Sequence, residues 1–129
     1  MKSLTALRVI AVAQAVAVCL QPVLAGVYLN GSGGAMRLHE PIGLGVTLLC
    51  LGQLLIATIY WRSGGDGFAV TASLTLLLTE GLQVAMGYSR QLALHVPLGI
   101  VIVAIACSLA VWTCRPGAAV RRTARRVAA

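Results

Sequence analysis

The chain has 129 residues, of which 59% are apolar and 10% charged, and its mean hydropathy is +0.92. A soluble domain this small has too much surface to tolerate that balance, so a bilayer is the expected solvent. The net charge of +7 would suit nucleic acid, but the basic residues sit where a membrane topology would put them, and no nucleic-acid partner is expected.

In chain order, Lys2 and Arg8 precede a first apolar stretch, 9–29. The opening "MKSLTALRVIAVAQAVAVCLQPVLAG" also has the order of a signal peptide cut after Ala25. Its apolar run is long for a signal, so a first span is expected. "NGSGGAMRLHE" leads to a second stretch, 42–61, "RSGGDG" to a third, 68–88, and "SRQ" to a fourth, 92–113. Each is near the roughly 20 residues that cross hydrocarbon. The expected fold is all-α: an integral membrane four-helix bundle, up-down-up-down, over 1–114, with a basic tail at 115–129.

In such a bundle Lys2, Arg8, Arg62, Arg115, Arg121, Arg122, Arg125 and Arg126 share one side, and only Arg37 and Arg90 lie on the other. The positive-inside rule then puts both termini in the cytoplasm of a bacterial plasma membrane. Tyr60, Trp61, Phe68 and Trp112 mark the inner interface, and Tyr28 and Tyr88 the outer one. Cys19, Cys50, Cys107 and Cys114 all fall in spans without metal-ligand spacing, and packing is their expected role.

The two histidines of the chain share one frame, "LHEPIG" at 38–43 and "LHVPLG" at 94–99. The preceding stretches "LQPVLAGVY" and "LQVAMGY" match more loosely, so the bundle reads as two copies of one helical hairpin. Pro41 and Pro97 are expected to begin the second and fourth spans or to kink them near their outer ends. His39 and His95 then share a depth on diagonal helices whose axes are roughly 11–14 Å apart. Gly43 and Gly99, one turn deeper on the same faces, would leave space for something flat beneath each imidazole. A flat ligand with a central iron held by two histidines is a b-type haem, with Arg37 and Arg90 placed to meet its propionates. The competing reading makes both histidines interfacial, helix-capping residues.

Other polar residues lie within the spans. Glu80 is expected about 12 Å below the outer interface, with Gln83 on its face and Gln21 at similar depth on the first helix. Gln14 and Gln53 lie deeper. Interhelical hydrogen bonding is one role for such residues, and proton coupling near a haem is a sharper one for Glu80.

"LQPVLAG", "LHEPIG", "EGLQVAMGY" and "LHVPLG" together resemble the pattern of a family of small four-helix bacterial membrane proteins with histidines opening helices two and four. The layout, from about Gln14 to Thr113, is also similar to one half of haem A synthase. That resemblance implies haem ligation by His39 and His95 towards the outer side. In haem A synthase a carboxylate also lies near a ligand histidine. Here Glu40 follows His39 directly, a different spacing, and one bundle stands where that enzyme has two, so its oxygenase-like activity is not implied. Four-helix cytochromes b usually hold two haems on four histidines, and this chain has only two histidines.

The expected function is therefore a single-haem membrane cytochrome for electron transfer, haem handling or redox sensing. Its partners would be the lipid bilayer and, beyond it, a larger redox complex or a quinone. The alternatives are a non-catalytic subunit of a larger membrane complex and a small proton-coupled transporter. No residue constellation for hydrolytic or nucleophilic catalysis is present, and a stand-alone enzyme is not expected.

Overall fold

The computed structural model describes residues 2–119. Four helices make up nearly all of it: α1 (Lys2–Leu29), α2 (Gly33–Arg62), α3 (Phe68–Tyr88) and α4 (Leu92–Cys114). A short 3-10 turn, Pro116–Ala119, follows, and there is no strand among the described residues. All four helices are long and apolar enough to cross a membrane, so the chain is a multi-pass membrane protein whose outer faces suit lipid. Arg121, Arg122, Arg125 and Arg126 of the expected tail lie outside the described residues.

α1 and α2 begin earlier than hydropathy alone suggests, at Lys2 and Gly33, and α3 and α4 begin at Phe68 and Leu92 as expected. Pro41 and Pro97 lie inside α2 and α4 rather than opening them. The polar stretch before Pro41 continues the helix because it stands at the bundle's end, where water can reach it. α1 packs on α2 and α4, and α3 packs on the same two, which makes α1/α3 and α2/α4 the diagonal pairs.

Three tight connections join the helices. Gly31 at φ +95° and Gly64 at φ +93° supply left-handed conformations after α1 and α2. The third connection puts Arg90 in that region, at φ 56°. A residue with a Cβ pays roughly 1–2 kcal/mol there.

Tight packing is confined to half of the bundle. Its main cluster joins Ala11, Ala15 and Val18 of α1, Val46 and Cys50 of α2, Ala72 and Leu76 of α3, and Ile102, Ala106 and Leu109 of α4. A second cluster of Leu7, Ala57, Tyr60 and Ala69 closes the end where α1 begins and α4 finishes, here called the tail end. There the Arg8 guanidinium donates twice to the Thr113 carbonyl, at 3.1 and 2.9 Å. Tyr60 donates to the Ala118 carbonyl at 2.7 Å, and its ring meets Trp112 edge-on at 6.3 Å. Towards the other end, which carries both histidines, Ala35 is the one apolar residue of the core beyond these clusters.

A Cβ at Gly65 would overlap the Tyr60 ring, which its hydrogen bond and Trp112 hold in place. Gly65→Ala should therefore lower thermal stability in detergent, at a cost on the order of 1–3 kcal/mol. Gly81→Ala is the control. That glycine is inside α3 with nothing within 4 Å of an added Cβ, and the change should leave stability equal or raise it by up to about 1 kcal/mol.

Candidate functional site

His39 on α2 and His95 on α4 meet across the bundle. Their ring centroids are 6.3 Å apart and the planes are tilted by 55°. Each ring is anchored by the helix preceding its own. The Nδ1 of His39 lies 3.2 Å from the carbonyl oxygen of Gln21, and the Nδ1 of His95 lies 2.9 Å from that of Gln83. A carbonyl can only accept, so a hydrogen on Nδ1 serves both contacts, and that tautomer leaves each Nε2 a lone pair. This is how proteins orient imidazoles that bind metals: the second nitrogen is tied to a backbone carbonyl or a carboxylate.

The side chains of the same two glutamines complete the arrangement. The Gln21 amide lies against Gly43, where a Cβ would be 3.5 Å from its Oε1. With its nitrogen turned towards His39, this amide donates to the His39 carbonyl at 3.1 Å and accepts from the Gly43 N–H at 3.3 Å, and its nitrogen also lies 3.1 Å from the His39 Nδ1, a contact that suits the other tautomer of that ring. It thereby inserts into the α2 ladder two residues past Pro41. The Gln83 amide lies against Gly99 more closely, with its Nε2 only 2.9 Å from a built Cβ. Gly43 and Gly99 thus make room on the histidine-bearing helices, and in the structure that room holds two amides rather than the open space expected. The role of the repeated Leu-Gln was not expected from the sequence, because it depends on a backbone oxygen that every residue has. The dipeptide's recurrence before each histidine frame was the available signal.

Arg37 and Arg90 are exposed at this end of the bundle. Glu40, next to His39, accepts from the Tyr88 hydroxyl at 2.7 Å, linking α2 to α3 there. The Arg90 backbone stands out. The other two connections use glycine in the left-handed position, and this one retains a charged side chain despite the strain.

Below the histidines the other diagonal is also bridged. Gln14 on α1 donates to the Glu80 carboxylate on α3 at 2.6 Å. Deeper, Gln53 donates to the Ser73 hydroxyl at 3.2 Å, and the Cys50 thiol to the Ser73 carbonyl at 3.6 Å. Cys19 and Cys107 bring their sulfurs to 3.8 Å between α1 and α4, and all four cysteines are free. Among the described residues no group of three or more His, Cys, Asp or Glu is placed to hold a metal ion. The two imidazoles are the donors on offer.

No family model, curated protein or solved structure matches the chain.

The unequal fit of the two glutamines gives a test. Gly99→Ala must displace the Gln83 amide, while Gly43→Ala makes an ordinary contact with Gln21. Gly99→Ala should therefore leave the purified protein less thermostable than Gly43→Ala does, the displaced amide offsetting the helical gain of alanine. Equal effects would mean that the amides do not fill the glycine faces.

Proposed function

We propose that this protein is a b-type membrane cytochrome that holds one haem between His39 and His95, in electron transfer, haem handling or redox sensing. The observation that carries this reading is the spacing of the two anchored imidazoles. Two bonds of about 2.0–2.1 Å from one metal ion to two imidazole nitrogens place the ring centroids roughly 6–6.5 Å apart, and these rings stand at 6.3 Å. Haem, when bound, supplies one-electron exchange at its iron.

The chain's own residues would do the rest. The carbonyls of Gln21 and Gln83 would hold the two rings in the tautomer that leaves Nε2 free on each. The apolar spans would surround the ring system. Arg37 and Arg90 offer the positive charge that propionates need, which gives the strained Arg90 backbone a reason. The bundle is read as up-down-up-down, built from two matching hairpins, in a bacterial plasma membrane with the termini in the cytoplasm and the histidines towards the outer side. A quinone or a larger redox complex in the same membrane would exchange the electron.

The amides against Gly43 and Gly99 favour a second reading. In it the repeated frame is a packing device, and the chain is a small non-catalytic subunit of a larger membrane complex. The visible spectrum separates the two. Reduced protein from haem-replete cells should show the sharp bands of six-coordinate, low-spin haem at one per chain. His39→Ala and His95→Ala should each abolish the bands or leave a weak five-coordinate species. Folded protein that is colourless would overturn the cytochrome and leave the subunit.

The topology has its own check. Reporter fusions after Gly31 and after Arg115 should report opposite sides, with Arg115 in the cytoplasm, because eight of the ten basic residues fall on its side. A fusion after Arg115 that is active outside would turn the histidines towards the cytoplasm.

A further inference from the structure

Four buried side-chain oxygens have no hydrogen-bond partner among the described residues: Gln14 Oε1, Gln53 Oε1, Glu80 Oε2 and Gln83 Oε1. All four are acceptors. Gln14 and Gln53 are 0% exposed and Glu80 is 3% exposed. Leaving one such group dry costs about 1–3 kcal/mol, so each calls for a donor.

They form a column. Ser73, which holds Gln53, and Glu80, which holds Gln14, are two turns apart on α3, roughly 10 Å along the axis. Gln83 is a further turn towards the histidines. Cys50 bridges the lower step by its bond to the Ser73 carbonyl. The residues that could answer a charge on Glu80 are few. α1 presents Gln14, α2 presents the Cys50 thiol, and α4 carries no titratable residue from Leu98 to Ala106. No basic group is buried with it among the described residues.

The two ends of the column differ. Below Gln53 lies the apolar plug of Leu7, Ala57, Ala69 and the Tyr60 ring. Above Glu80 the buried core gives way to a partly buried layer, Ile42 and Leu98, and beyond it Gln21, Gln83, His39 and His95 are only half-buried.

We propose that the bundle interior is a water-holding site in which Glu80 binds a proton taken up from the histidine end alone. Waters there donate to the orphaned oxygens, each water having two or more polar partners, as buried waters require. Uptake forms an O–H bond at the carboxylate and breaks one in a hydronium ion at the mouth, leaving water. No electron moves. The site does not depend on iron, so a colourless protein would leave it standing. Were haem bound, the proton and the electron would meet in one half of the bundle.

The test uses the full chain with a C-terminal affinity tag, reconstituted in vesicles and sorted by whether the tag faces outward. Infrared difference spectra are recorded as the external pH is stepped and the lumen is held. With the tag inside, acidification should raise a protonated-carboxyl C=O band that Glu80→Gln removes. With the tag outside, the same step should leave that band unchanged. If Glu80→Gln does not fold, Glu80→Asp keeps a carboxyl and makes the assignment by moving the band. Leu7→Ser, which opens the plug, should make the band respond from both sides. The proposal is overturned if the wild-type band follows pH at the tail end, if no Glu80-dependent band responds from either side, or if the band moves with sodium at constant pH.

Discussion

Hydrocarbon offers no hydrogen bonds, and that one property of the solvent organises the interior of this bundle. A polar side chain inside the spans has to find its partner within the protein: the threonines use carbonyls of their own helix, and the longer side chains reach another helix. One diagonal is bridged, α1 to α3 through Gln14 and Glu80, and on the other the two imidazoles face each other at 6.3 Å. Between neighbours the same demand is met by Gln53 with Ser73, and by each histidine with a carbonyl of the preceding helix. Apolar contact has little power to hold helices together in lipid, because the tails are as apolar as leucine. These polar bonds and close packing at small residues carry the association instead.

Those two means of association are separated along the axis. The tail-end half is packed by alanines and a few large side chains, with Leu7, Leu76 and Leu109 fully buried. The histidine-end half is joined mainly by hydrogen bonds: imidazole to carbonyl, amide to backbone, and Tyr88 to Glu40. A half joined by a few directional bonds can admit a ligand or water at less cost than a packed core, where each added or lost methylene is felt. Both the proposed haem and the proposed proton site use that half.

Hydropathy and charge made the four helices legible, since length and apolarity alone decide whether a segment can span. The histidine frame was legible because only two histidines exist and their surroundings match. The start of α2 was not, because Pro41 read as a first-turn residue when the structure carries it inside the helix, as it carries Pro97 inside α4. Pro41 leaves the Arg37 carbonyl without its helical donor, and two residues on the Gln21 amide inserts from the neighbouring helix between the His39 carbonyl and the Gly43 N–H. No local pattern announces an insertion made across helices. For the same reason Gly43 and Gly99 read as open space. A glycine in sequence states only that a side chain is missing, and the neighbour that takes up the room is a tertiary fact.

The two frames are alike in sequence but unequal in tightness. His95 is 2.9 Å from its carbonyl, a Cβ at Gly87 would come within 3.1 Å of its ring, and Gln83 crowds Gly99. His39 is 3.2 Å from its carbonyl, and Gln21 sits at ordinary distance from Gly43. One imidazole is therefore clamped on several sides and the other is held mainly by α1. In a bis-histidine site that difference separates functions. An electron carrier gains from two fixed ligands, which keep reorganisation small. A sensor or a haem-handling protein gains from one ligand that stays and one that can yield. With His95 clamped and His39 looser, the asymmetry favours the second pair of roles within the cytochrome reading, and it makes His39 the ligand through which a bound group would enter or leave.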